Sequence, residues 1–193
     1  MTHEHNSPTL CNDAAMSSVL AAMQGSDEHA LDALNDALAN WPRDARLWFL
    51  RGAVHAGLQQ HGHARADFVQ SLTLAPDNNV ARFMLGLLEL MNGLVEQAAQ
   101  TWLPIDRLPD DNALPVLKDG FLSLAADRFD DALEKLNRGM QLNREHPLIN
   151  VYVRNVVEKI VDRSASSAPS ADSDAQQHAH LLLSGYQNNQ TRH

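Results

Sequence analysis

Little in this sequence cross-links or interrupts the chain. A single cysteine, Cys11, stands among 193 residues, so an intramolecular disulfide framework is excluded and a reducing compartment is expected. Only nine glycines and eight prolines occur, and they gather between segments, which suits an all-helical chain. Basic residues are scarce: 15 Lys and Arg face 24 Asp and Glu, for a net charge of −9. They are scattered as well, and phosphate recognition needs a basic face, so no nucleic-acid partner is expected. Long apolar runs are absent. "FMLGLLELM" (83–91) contains Glu89 and falls well short of the roughly 20 residues of a membrane span, so no membrane insertion is expected. The start "MTHEHNSPTLCND" has neither a basic region nor an apolar core of a secretory signal, and the expected location is cytoplasmic.

Catalytic signatures are missing too. No HExxH, CxxC, phosphate loop or G-x-S-x-G occurs, so no catalytic residue, cofactor or metal site is expected and the chain does not read as an enzyme. Ten histidines prompt a check. His61 and His63, like His178 and His180, are two residues apart, which on a helix points them to roughly opposite sides, whereas a shared metal wants a spacing of three or four. They read as solvent-exposed. Cys11, near the start of the first helix, reads as a structural cysteine rather than a reactive thiolate. Asp127, Asp130 and Asp131 precede an apolar-periodic segment and read as helix capping.

What is present is a repeat. "HALDALNDALANWPRD" (29–44) and "HARADFVQSLTLAPDNN" (63–79) share one rhythm 34 residues apart. Units starting at Cys11, Ala45, Asn79 and Ala113 tile the chain without gaps up to Pro147. The twentieth position is then Ala30, Ala64, Ala98 and Ala132, and the twenty-fourth is Leu34, Phe68, Trp102 and Leu136. The eighth is Ser18, Gly52, Gly86 and Gly120. Small residues at the eighth position let paired helices approach closely, and the large residue fills the space between them.

This pattern resembles the tetratricopeptide repeat (TPR), a helix–turn–helix unit of about 34 residues. The second unit matches best, with Trp48, Gly52, Ala64, Phe68 and Pro76. Arg51 and Asp119 replace a usual leucine, and Asp110 and Arg144 replace the closing proline. The resemblance implies an all-α, right-handed helix–turn–helix solenoid. Its units would be 11–44, 45–78, 79–112 and 113–146, closed by a capping helix at 147–162. Within the frame, Pro104 should kink or end the third B helix. Residues 1–10 and 187–193 are expected to be flexible, and 163–173 ("RSASSAPSADS") to be a linker. Residues 174–186 form an amphipathic pattern, with Ala175, Ala179, Leu182, Leu183 and Tyr186 on one face.

The family lines its groove with the A helices at the second, fifth, ninth, twelfth and thirteenth positions. Carried over, the first unit contributes Asn12, Ala15, Val19, Ala22 and Met23. The second contributes Arg46, Phe49, Ala53, Ala56 and Gly57. The third contributes Val80, Phe83, Leu87, Leu90 and Met91, and the fourth Leu114, Leu117, Phe121, Leu124 and Ala125. Only Asn12 and Arg46 are polar, so the basic clamp by which some family members hold a partner's terminal carboxylate is missing. A wet groove around Phe83, Leu87, Leu90 and Phe121 would need a cover, unless tight curvature of a short array buries these helices. The implied function is a scaffold binding a protein or peptide segment. The alternative is a small acidic TPR chaperone that shields apolar segments of exported clients. Leu182, Leu183 and Tyr186 of the tail are candidate groove contacts, in cis or through tail exchange in a homo-oligomer.

Overall fold

The computed structural model describes residues 10–166. Expectations for residues 1–9, for the linker beyond 166 and for the tail helix with Leu182, Leu183 and Tyr186 lie outside the described residues. Among the described residues every regular element is helical. They are α1 (Asp13–Ala22), α2 (Asp27–Asn40), α3 (Ala45–Gly57), α4 (His61–Leu74), α5 (Asn79–Met91), α6 (Val95–Trp102), a 3-10 turn (Leu103–Arg107), α7 (Ala113–Ala125), α8 (Phe129–Leu142) and α9 (Pro147–Ser166).

The period is visible in the helix starts. From the second unit the A helices begin at Ala45, Asn79 and Ala113, and α9 follows at Pro147; the B helices begin at Asp27, His61, Val95 and Phe129. Both series step by 34 residues. The local chemistry repeats with them. Asp44, Asn78 and Asn112 each precede an A helix, and each side chain accepts a backbone N–H from its first turn, of Arg46, Ala81 and Leu114. The A-to-B turn places Gln59, Gly93 and Asp127 in the left-handed region, with φ of 59°, 77° and 55°. Asp127, Asp130 and Asp131 do not cap α8 as expected: Arg128 is its first flanking residue and no side chain caps that end.

Proline explains the odd third unit. α6 stops at Trp102, and the chain tightens into the 3-10 turn, with Pro104 in its first turn where a missing N–H costs least. The cap helix runs past the expected 162 to Ser166, because Ser164, Ala165 and Ser166 contain no breaker.

The chain divides into two compact units after Leu88, within α5. In the first, Leu34, Leu38 and Leu47 form one core with Trp41 and Trp48 against it. A second centres on Phe68 with Leu85, Leu88 and Phe49. The eighth and twenty-fourth positions meet as their sizes require: a Cβ on Gly52 would lie 2.9 Å from the Phe68 ring. The second unit repeats this contact, since a Cβ on Gly120 would lie 2.8 Å from the Leu136 side chain, and its core buries Trp102, Ile105, Leu117 and Val153 completely.

Arg51, standing where the repeat usually has leucine, holds α3 to α4 by charge instead. Its Nε and Nη2 donate to both carboxylate oxygens of buried Asp67 at 2.9 and 2.8 Å, and its Nη1 reaches Asn35. The guanidinium also lies 4.7 Å from the Trp48 ring centre. The acid of this bidentate, charge-assisted pair is itself buried, Asp67 being 4% exposed.

Candidate partner-binding surface

The groove positions separate by burial. In the first unit Met23, Phe49, Ala53 and Val80 are half-buried and Arg46 is exposed, whereas Val19, Phe83 and Leu87 are buried. In the second, Met91 and Leu124 are half-buried, and Leu90, Leu117 and Phe121 are buried. The wet apolar patch expected around Phe83, Leu87, Leu90 and Phe121 is therefore replaced by core. Phe83 is 0% exposed and the other three are at most 4%. The physical reason is the one that governs any helix apolar on all sides, burial all round. Among the apolar side chains at groove positions, the accessible ones are the half-buried ones.

The polar groups of this face are occupied. Asp44, fully buried, accepts from the Cys11 backbone N–H at 2.8 Å and from the Arg46 side chain at 3.0 and 2.6 Å. Arg46 also donates to the Cys11 carbonyl at 3.0 Å, so within the first compact unit the start of the first 34-residue repeat is clipped to the start of the second repeat. Burial pushes the Asp44 carboxyl up, but the hydrogen bonds from Arg46 and Cys11 outweigh it and hold it below its ordinary value. Burial pushes the Cys11 thiol up, away from the reactive thiolate. Asn12, the other polar groove position, caps α1 through Ala15.

In the second unit the cap helix takes part in the A-helix face. The Tyr152 hydroxyl donates to the Met91 Sδ at 2.8 Å, and its ring tilts against Phe121 with centroids 6.2 Å apart. Sequence reasoning missed Tyr152 because the groove positions were assigned only to complete units. Lys118, buried on α7, is held by Asp106 of the 3-10 turn and by Asp119 at 3.0 Å. Burial pulls this amine down, but the two carboxylates more than restore it. Asp131 binds the buried Ser123 hydroxyl at 2.6 Å and Lys135 at 2.9 Å, which together hold its carboxyl down at about 2. Both clusters tie helix to helix.

Of the paired histidines, His61 is half-buried and His63 exposed, and His63 stacks 5.2 Å from His55, a partner not singled out from the sequence. Among the described residues, no three His, Cys, Asp or Glu side chains converge as metal ligands. No helix there is long and apolar enough to cross a membrane. A small open pocket of about 190 Å³ lies between the start of α7 and the α8–α9 connection. Its walls carry both signs of charge, and its two asparagines, Asn112 and Asn143, are engaged in capping α7 and bridging to His146 and Asn150.

No family model matches the chain. A stretch of 56 residues, 29% of the chain, is 38% identical to tetratricopeptide repeat protein 16 of Mus musculus, and the match spans 7% of that protein's length. Among solved structures, MamA (residue 41 to the end) from Desulfovibrio magneticus RS-1 superposes with a TM-score of 0.55 at 16% identity, covering 83% of this chain and 100% of that one. PilW, described as a widely conserved type IV pilus biogenesis factor, superposes with a TM-score of 0.57 at 16% identity, covering 93% and 89%. With its 34-residue register, its small-on-large helix contacts and these likenesses, the chain has an all-α helical repeat fold of the tetratricopeptide kind.

Proposed function

We propose that this protein is a non-catalytic interaction scaffold whose A-helix face takes an apolar helix or extended segment of another protein. The observation that carries the reading is the row of half-buried apolar side chains Met23, Phe49, Ala53 and Val80 at groove positions, whose polar neighbours Asn12 and Arg46 are already satisfied internally. A surface without spare charges selects by shape and apolar contact, and suits a helix laid into a groove. Phe83 and Leu87 support this face from the core, so charging them would unfold the unit rather than block the site.

The test is site-specific photocrosslinking in cells, with a benzophenone amino acid at Ala53 or, as control, at exposed Asp32 on α2. The reading expects a discrete adduct from position 53 and none from 32. The reverse pattern would move the site to the outer helices. A finer reading makes residues 174–186 a ligand of this face, in cis or exchanged between copies. Deleting residues 167–193, which spares α9, should then raise dye binding and strengthen the crosslink. An unchanged melt, dye signal and crosslink would remove the tail from the account.

A further inference from the structure

The open pocket of about 190 Å³ lies wholly within the second compact unit. One wall is the start of α7, residues 111–114; the other is the end of α8 and the connection to α9, residues 142–146. Hydrogen bonds fix both walls. Asn112 accepts the Leu114 N–H at 2.9 Å. Asn143, only 7% exposed, donates to the His146 carbonyl and the Asn150 side chain, both at 2.8 Å, and accepts the His146 N–H at 3.1 Å. Ala113, Leu114 and Leu142 supply the apolar lining. The charges are Asp111 and Arg144, both exposed, and Glu145 with His146, whose side chains lie 3.9 Å apart. Asp111 and Arg144 line one small space, yet among the described residues they pair neither with each other nor with another charged side chain. In the repeat frame Arg144 stands where Pro42 and Pro76 close the first two repeats, so a guanidinium takes the place of a ring.

We propose that this pocket binds a small aliphatic α-amino acid as its zwitterion. Arg144 forks the carboxylate, Asp111 takes the ammonium, and the side chain lies against Leu114 and Leu142. The volume is roughly six times the ~30 Å³ share of one water, which suits a molecule of this size and not a larger one. A zwitterion answers both unspent charges and adds no net charge to the pocket, whereas an anion or a cation answers only one. A peptide terminus has the same limit, since it carries a single charge. Exposed charge pairs contribute little singly, so the affinity is in the millimolar range. This site lies beyond the scaffold reading and does not depend on it.

The probe is L-valine, titrated into the isotope-labelled full chain and followed by amide chemical shifts. Saturable shifts confined to residues 111–114 and 142–146 and their helices are expected. 3-Methylbutanoate and isobutylamine keep the same carbon skeleton but lack the ammonium and the carboxylate respectively, and each should bind about tenfold more weakly. Arg144→Ala should bring valine down to the level of isobutylamine, and Asp111→Asn should bring it down to the level of 3-methylbutanoate. Both side chains are exposed, so the variants keep the fold, which their spectra report directly. No saturable shift at valine on the order of 10 mM would overturn the proposal. So would 3-methylbutanoate binding as tightly as valine, which would leave a plain carboxylate site that a peptide end could fill. The photocrosslink at Ala53, in the other compact unit, is unaffected by either result, so the scaffold reading stands or falls separately.

Discussion

Replacing Phe68 by alanine tests the small-on-large contact that the repeat register depends on. Phe68 is 0% exposed, its ring lies 5.9 Å from that of Phe49, and its edge presses on the α-carbon side of Gly52. Removing a buried phenylalanine side chain costs about 3–5 kcal/mol, from lost transfer energy and the cavity left behind. That is a large share of the ~5–15 kcal/mol that holds a typical domain folded. Gly52 supplies the discriminating second change. In the wild-type chain Gly52→Ala adds a Cβ 2.9 Å from a ring that cannot retreat, an overpacking cost of about 1–3 kcal/mol. Against this stands a helix-propensity gain of about 1 kcal/mol, so the net effect is neutral to destabilising. In the Phe68→Ala background the clash is gone and the gain remains, so the same change should stabilise by about 1 kcal/mol. Urea melts followed by far-ultraviolet circular dichroism and by Trp41 and Trp48 fluorescence measure all four corners of the cycle. The reasoning is refuted if Phe68→Ala costs less than about 1 kcal/mol. It is equally refuted if the two changes are additive within about 0.5 kcal/mol.

The Arg51–Asp67 pair should be costly to break and cheap to replace. Asp67→Asn leaves a guanidinium only 20% exposed without its acid, for a loss of about 3 kcal/mol in a denaturant melt, whereas Arg51→Leu with Asp67→Leu should recover most of it. Asp131 gives an acid dependence whose sign is set by its lowered carboxyl. Its contribution is complete above the unfolded value near 4 and is lost as pH falls towards about 2, so Asp131→Asn should flatten the stability–pH curve in that window and nowhere else. Gln59 sits at φ 59° without being glycine, and Gln59→Gly should raise stability by about 0.5–1 kcal/mol by relieving left-handed strain; a loss in the thermal melt would mean its side chain matters more than its backbone.

The sequence by itself determined the period, the pairing of helices and the place of the breaks. These are local or strictly periodic properties: Gly52 and Phe68 belong to one helix pair, and Pro104 ends α6 by lacking an N–H. The capping residues Asp44, Asn78 and Asn112 carry the same 34-residue step before α3, α5 and α7, a local signal that sequence reasoning missed. Which groove positions are open was not legible. Phe49 and Phe83 occupy the same position of successive units, yet one is half-buried and the other 0% exposed. That difference depends on what the rest of the fold places over each side chain, and no period encodes it. The same holds for polar residues that break the repeat pattern. Arg51 and Asp119 look like defects along the chain, and only in three dimensions does Arg51 meet Asp67, or Lys118, the neighbour of Asp119, meet Asp106. Tyr152 on Met91, 61 residues away, belongs to the same class, because a contact made by the helix after the last full unit has no counterpart in the repeat from which to predict it.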